Sequence, residues 1–307
     1  MNHGPCLFLR IECLIQKGSS EMRNKEFAFW LFITPVLLSL TLVVILPVVM
    51  GLFYSFTNWN GLNFTSFVGL SHYKRLLGDG QFLRSLWFTV KFSVASIILL
   101  NVIGLSLALL VTSKLKSRNI LRTVFFMPNL IGGLILGFIW QFIFIRVFAS
   151  IGELIGVESL QVWLATPGTG FWGLVILTVW QMAGYIMIIY IAYLQGVPKE
   201  LLESAEIDGA TPFQKFRHVI FPLIAPAFTV TMFLTLSNSF KIYDQNLSLT
   251  GGGPYNSTQM VAMNIVDTAF SGNQMAYGQS KAIIFFLIVA VISLSQVYYN
   301  KKREVDL

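Results

Sequence analysis

Val197-Pro198-Lys199-Glu200-Leu201-Leu202-Glu203-Ser204-Ala205-Glu206-Ile207-Asp208-Gly209-Ala210-Thr211-Pro212 is the densest cluster of acids in the chain, and a long apolar run lies on each side of it. Pro198 suits a first helical position, where its fixed φ helps and its missing N–H is no loss, and Gly209 suits the left-handed residue that closes a helix. The stretch therefore predicts a short helix of about three turns. At 100° per residue Leu201, Leu202, Ala205 and Gly209 fall in one arc of about 100°, with Glu200, Glu203, Glu206 and Asp208 around it. Such a helix carries a narrow apolar ridge inside an acidic collar. Thr211-Pro212 reads as the N-cap and first residue of a second helix, which carries Lys215 and Arg217 before the chain turns apolar again at Val219. The second helix feeds straight into a membrane span.

Working outward, six apolar runs reach the roughly 20 residues that cross about 30 Å of hydrocarbon. They lie at about 29–53, 88–111, 123–145, 173–194, 219–240 and 282–299. Of the 307 residues 55% are hydrophobic and 11% charged, against about 25% charged in an average soluble domain. The fold class is an all-α integral membrane protein with six spans over 27–300, interrupted by the polar loop 196–218. Trp30, Tyr54, Trp87, Trp172, Tyr298 and Tyr299 flank the runs as an interfacial aromatic belt. Pro35, Pro47, Pro128, Pro222 and Pro226 lie in or near spans and predict kinks.

The net charge is +7, but the basic residues sit in short clusters between apolar runs, which argues topology and excludes a nucleic-acid surface. The segment before span one, the 2–3 and 4–5 loops and the tail 301–307 hold 14 of the 21 Lys and Arg residues. The other side holds 6, namely Lys74, Arg75, Arg84, Arg146, Lys241 and Lys281, and Lys91 falls within span two. The positive-inside rule then predicts both termini, and the acidic helix, on the cytoplasmic side.

Residues 1–26 lack the pattern of a signal peptide, since Arg10 and Glu12 break the apolar stretch and no small-residue cleavage site follows. Met22 begins a more usual start, so residues 1–21 are expected to be a dispensable extension. Cys6 and Cys13 have no nearby His or Cys pair and make neither a metal site nor a disulfide framework. The polar insertion 57–82, with Asn58-Trp59-Asn60-Gly61, either covers the outer mouth of a pathway or simply packs as a loop.

Glu203-Ser204-Ala205, Asp208-Gly209-Ala210 and Ile220-Phe221-Pro222 resemble the E-A-A, G and isoleucine–proline signature of permease subunits in binding-protein-dependent ABC importers. Ser204 departs from it by replacing the first alanine. The resemblance implies a coupling helix, with Glu203, Ser204, Ala205, Asp208 and Gly209 docking in a groove on a separate ATPase subunit.

Lys241-Ile242-Tyr243-Asp244-Gln245-Asn246-Leu247-Ser248-Leu249-Thr250-Gly251-Gly252-Gly253-Pro254 similarly resembles the L-T-x-G-G-P segment after the fifth span in the carbohydrate-uptake, maltose and multiple-sugar branch. Three glycines and a proline force an irregular backbone, which at membrane depth needs protein or a water-filled cavity around it. Thr250, Gly252, Gly253 and Pro254 are therefore expected beside the translocation path, a plain external turn being the alternative.

Polar side chains within spans are functional candidates, because an unpaired polar group in hydrocarbon costs several kcal/mol, roughly. Gln181 and Tyr185 in span four and Asn238 and Ser239 in span five meet that test. In the sugar importers that the chain resembles, the matching parts of these spans hold the sugar. Hydroxyls suit Asn, Gln and Ser, and the C–H face of the ring suits Tyr or Trp. Each of the four is alternatively a helix-to-helix hydrogen bond. Trp180, Lys241 and Asp244 are weaker candidates at the rims, and Lys91 and Asn101 in span two have no assigned role.

No phosphate loop or H-E-x-x-H motif is present, and His3, His72 and His218 are scattered, so no enzymatic site is predicted. The resemblance implies no cofactor in this chain, with ATP and Mg on two partner ATPase subunits. It also implies a second permease subunit, an extracellular sugar-binding protein and a carbohydrate substrate. The competing reading is an ion-coupled secondary transporter of a small polar solute, which calls for a buried ionisable pair in the spans. A non-transporting receptor or scaffold has no need of an ATPase dock.

Overall fold

The computed structural model describes residues 29–64, 66–113 and 116–301. The predicted extension 1–21, with both cysteines, and the tail beyond Lys301 lie outside them. The described residues are helical apart from turns and one isolated antiparallel bridge, Thr57 to Phe67. Five helices are long and apolar enough to cross a membrane: α1 (Phe29–Tyr54), α3 (Gly80–Thr112), α5 (Gly133–Ile155), α6 (Pro167–Gln195) and α12 (Met275–Asn300). The short α2 (Ser71–Leu77) precedes α3, and α4 (Arg118–Phe126) precedes α5. Between α6 and α12 come α7 (Lys199–Ile207), α8 (Pro212–Leu223), α9 (Ala225–Phe240), α10 (Asp244–Leu249) and α11 (Val261–Val266). Counted as one element, α8 with α9, bent by 69° at the break, is span five and brings the number of spans to six.

The prolines act through register. Pro lacks an N–H, and its ring collides with the carbonyl four residues back. The turn before Pro47 is accordingly a π turn, Thr41–Ile45, and the turn before Pro222 is another, Phe216–Ile220. Pro222 and Pro226 bracket the α8–α9 break at Ile224.

The core is where α3 and α6 cross, filled by Phe92, Leu100, Leu177, Ile186, Met187 and Tyr190, all buried. In a bilayer no hydrophobic force draws helices together, so small residues that permit close packing carry the contact. Ser93, Ser96, Gly104 and Ala108 of α3 are buried against it. A Cβ on Gly104 would stand 2.6 Å from Ile186 Cγ2.

Several predicted bounds are corrected. Span two begins at Gly80, eight residues earlier than expected, because the Asp79 carboxylate caps it, accepting from the Gln81 and Phe82 N–H groups at 3.1 and 2.9 Å. Span three does not start at 123. The chain tightens into a 3₁₀ turn at Met127–Leu130, where Pro128 sits, and a continuous helix resumes only at Gly133. Arg146, placed in a loop by sequence, lies inside α5, and Lys281 lies buried inside α12. The segment from 241 to 274 is not a loop but two helices and a folded turn packed on α5, α3, α6 and α12. The insertion 57–82 packs onto the spans: Trp59 stacks on Tyr54 at 4.4 Å and its carbonyl accepts from the Ala276 N–H.

Candidate functional site

Two features stand at opposite ends of the bent span. At the first, α7 is an exposed two-and-a-half-turn helix. Pro198 is its N-cap, with ψ 131°, and not its first helical residue; Lys199 takes that place. Gly209 has φ +76°. Its N–H donates to Glu206 O at 3.1 Å, and the Ala210 N–H donates to Ala205 O at 2.9 Å. This pair of bonds around a left-handed residue is the Schellman closure of a helix. Thr211 then caps α8 in a capping box with Gln214. Lys215 of α8 pairs with Glu206 of α7, which locks the two short helices into a hairpin. The apolar ridge divides. Leu202 and Ala205 are half-buried, whereas Leu201 and Gly209 are exposed, as are Glu203, Ser204 and Asp208. Ile207, opposite the ridge, is 87% exposed. An apolar residue on an acidic, solvent-facing hairpin is an unpaired contact surface.

At the other end, Asn129, Gln181, Met182, Tyr185, Asn238, Lys241, Ile242 and Gln245 line a cavity of about 350 Å³. Three of the four predicted polar residues meet there. Gln181 is largely committed: its amide donates to Ile131 O at 3.0 Å and its carbonyl accepts from Gln245 Nε2 at 3.0 Å. Tyr185 is half-buried and Asn238 exposed, and neither side chain has a hydrogen-bond partner among the described residues. With Asn129 and Lys241 they present hydroxyl, amide and ammonium groups to whatever enters.

Ser239 does not belong to this group. One residue on from Asn238 it turns about 100° around the helix; it is fully buried, outside the lining, and its Oγ has no hydrogen-bond partner among the described residues. Thr250, Gly252, Gly253 and Pro254 do not line the cavity either. They form a folded turn with Gly251 and Gly252 at φ +57° and +82°, held by Asn246, which donates to Thr250 Oγ1 and Thr258 O and accepts from the Met260 N–H. The turn anchors α10, whose first-turn Gln245 reaches the cavity. Trp180 faces an apolar pocket on the opposite side of α6 with Trp172 and Leu99, and Asp244 is exposed outside the lining.

Asn129 and Gln245 were missed in the sequence. Gln245 lies four residues past Lys241, across the short non-helical link between α9 and α10, and Asn129 follows the helix-breaking Pro128 at a point where irregular backbone sits among spans. A second missed signal is Gly133-x-x-x-Gly137. A Cβ on Gly137 would lie 1.8 Å from Ser248 Oγ, and one on Gly133 2.9 Å from Gln245 Cδ. These glycines let α10 lie directly on α5, which fixes where Gln245 points.

Two buried networks brace the bundle. Asn101 Oδ1 accepts from Tyr190 OH at 2.8 Å and Thr231 Oγ1 at 2.7 Å, joining α3, α6 and α9. Lys281 pairs with Asp79 at 2.8 Å and donates to Asn264 and Thr268, both at 2.9 Å. Burial acts to raise the Asp79 carboxyl, but bonds from Lys281, the Phe82 N–H and Tyr277 outweigh it and hold the pKa at about 2.

Residues 100–305 match the family described as "Binding-protein-dependent transport system inner membrane component". The chain is 58% identical to the probable starch degradation products transport system permease protein AmyD of Thermoanaerobacterium thermosulfurigenes, over 91% of this chain and 96% of that one. It is 32% identical to the multiple sugar-binding transport system permease protein MsmF of Streptococcus mutans, over 93% and 99%. In fold it is similar to a chain of a bacterial ABC transporter that imports the acidic polysaccharide alginate, with a TM-score of 0.82, 19% identity, and coverage of 92% of this chain and 98% of that one.

Proposed function

Because the chain belongs to the inner-membrane components of binding-protein-dependent transport systems, multi-pass proteins of the prokaryotic plasma membrane, we propose that it forms half of the sugar path in an ABC importer and couples that path to ATP hydrolysis. The observation that carries the proposal is the bent span. One end of α8–α9 bears the exposed acidic hairpin, and the other supplies Asn238 and, just beyond it, Lys241 and Gln245 to the polar cavity. A displacement of the hairpin is thereby passed to the cavity wall along one continuous element with a built-in hinge at Ile224.

In this reading both termini and the hairpin face the cytoplasm. Glu203, Ser204, Ala205, Asp208 and Gly209 dock on an ATPase subunit, with Ile207 as an added apolar contact. Two such ATPase subunits hold ATP and Mg, a second permease completes the path, and an extracellular binding protein delivers the substrate. Starch-derived oligosaccharides are the first substrates to test, given the relative at 58% identity. Sugar hydroxyls find Tyr185, Asn238 and Asn129, and the Tyr185 ring offers a face for C–H packing.

The test is uptake in proteoliposomes that hold this chain with its permease partner, ATPase and binding protein. Accumulation that requires internal ATP and persists after ionophores collapse every ion gradient supports the reading. Accumulation that follows an ion gradient without ATP would support the ion-coupled alternative. For that alternative the buried Asp79–Lys281 pair is poorly suited, since its groups are already bonded to Tyr277, Asn264 and Thr268.

A further inference from the structure

One face of α3 is built unlike the rest of the helix. Arg84, Trp87, Lys91, Val94, Ile98 and Val102 follow each other at three- and four-residue steps and make a single exposed stripe. The upper part is cationic and aromatic, while Val94, Ile98 and Val102 are each more than half exposed. From Lys91 to Val102 the helix rises about 16 Å at 1.5 Å per residue, close to half of the roughly 30 Å hydrocarbon thickness. The Lys91 side chain leans toward the helix N-terminus, which brings its ammonium to the level of Trp87.

Beside this cationic end, the loop after α10 forms a wall. Gln81, Arg84, Trp87, Lys91, Asn256 and Ser257 are among the residues around a cavity of about 380 Å³, with Phe88 and Tyr255 completing it. Ser257 Oγ is buried there without a hydrogen-bond partner among the described residues. The two ion pairs among the described residues are Lys215–Glu206 and Lys281–Asp79, so among these residues neither Arg84 nor Lys91 has an acidic partner. Two cations at the interfacial end of a span attract an anion.

The stripe also argues against a partner helix as its occupant. Helices pack in membranes through small residues, and α3 keeps its Ser93, Ser96, Gly104 and Ala108 buried, where it packs on α6 and α9. The exposed stripe down to Val102 has no small residue. A cationic, hydrogen-bonding head over one leaflet's depth of branched apolar side chains matches a lipid in both chemistry and length.

We propose that this groove binds an anionic phospholipid of the leaflet opposite the α7 hairpin. Its phosphate sits between Arg84 and Lys91 with Ser257 as a donor, and one acyl chain lies along Val94, Ile98 and Val102. This is independent of the substrate and of the coupling role.

The test is native mass spectrometry of the assembled transporter, titrated with phosphatidylglycerol or phosphatidylcholine, using wild type, R84Q/K91Q and the charge-preserving R84K/K91R. Wild type and R84K/K91R are expected to retain phosphatidylglycerol in preference to phosphatidylcholine. R84Q/K91Q is expected to lose about tenfold to thirtyfold in retention, as the removal of two interfacial cations implies. Ile98→Trp, which changes the shape of the apolar stripe and leaves both cations, is expected to lower retention as well. Equal phosphatidylglycerol retention by R84Q/K91Q would overturn the proposal. So would dissociation of the second permease from that variant, which would assign the cations to a carboxylate of the partner, or displacement of the lipid by millimolar glycerol phosphate, which would make the ligand a soluble anion.

Discussion

Gln245 donates to Gln181 at 3.0 Å, and Gln181 in turn donates to the Ile131 carbonyl, so one side chain ties α10, α6 and the chain between α4 and α5 at the floor of the polar cavity. Gln181 is thus chiefly a brace. Gln181→Leu leaves the half-buried Ile131 carbonyl and the Gln245 amide without these partners, and is expected to destabilise the complex by about 1–3 kcal/mol. Thermal unfolding of the purified transporter checks this, and an unchanged Tm would contradict it.

Tyr185 and Asn238 behave differently, because neither side chain has a hydrogen-bond partner among the described residues. Tyr185→Ala and Asn238→Leu are expected to raise the sugar concentration for half-maximal uptake about 5- to 150-fold, the equivalent of roughly 1–3 kcal/mol, with complex yield intact. Ser239→Ala, buried away from the cavity, is expected to leave that concentration unaltered. Uptake kinetics on the three variants separate lining from packing.

Gly137 has no room for a side chain, its Cβ position lying against Ser248. Gly137→Leu is expected to push α10 off α5 and to lower the yield of assembled complex severely, whereas Ser248→Ala is expected to be tolerated. Size-exclusion yield after mild solubilisation reads both.

Asp79→Asn leaves Lys281 buried without its counter-charge and is expected to cost about 3–5 kcal/mol at neutral pH. Asp79→Asn with Lys281→Met is expected to recover most of it. The folded carboxyl titrates below its ordinary value of about 3.9, so its contribution is complete above about pH 4 and is lost as pH falls toward about 2. The difference in Tm between wild type and Asp79→Asn should therefore be flat from pH 8 to pH 5.

The sequence made the spans legible because length and apolarity are properties of a run, and it made the hairpin legible because Pro198, Gly209 and Thr211-Pro212 act locally. What it hid depends on distant partners. Lys281 reads as a loop cation until Asp79, some 200 residues earlier, is seen to neutralise it. Asn238 and Ser239 are equivalent as letters, and only the rotation of α9 places one in the cavity and the other in the core. Gln245 reaches the cavity because Gly133 and Gly137 admit α10, a contact spread over more than a hundred residues.

Gly209 joins the docking hairpin to the bent span, and a Cβ there would meet nothing within 4 Å, so a substitution acts through its φ of +76° alone. A β-branched residue at such an angle costs roughly 1–3 kcal/mol and reshapes the turn without touching the cavity. The measurement is the number of sugar molecules imported per ATP hydrolysed in proteoliposomes, compared between wild type and Gly209→Val at equal complex content. The account predicts a severalfold fall in that ratio with assembly of the spans preserved; an unchanged ratio, with the ATPase fully bound, would contradict the coupling role of the hairpin.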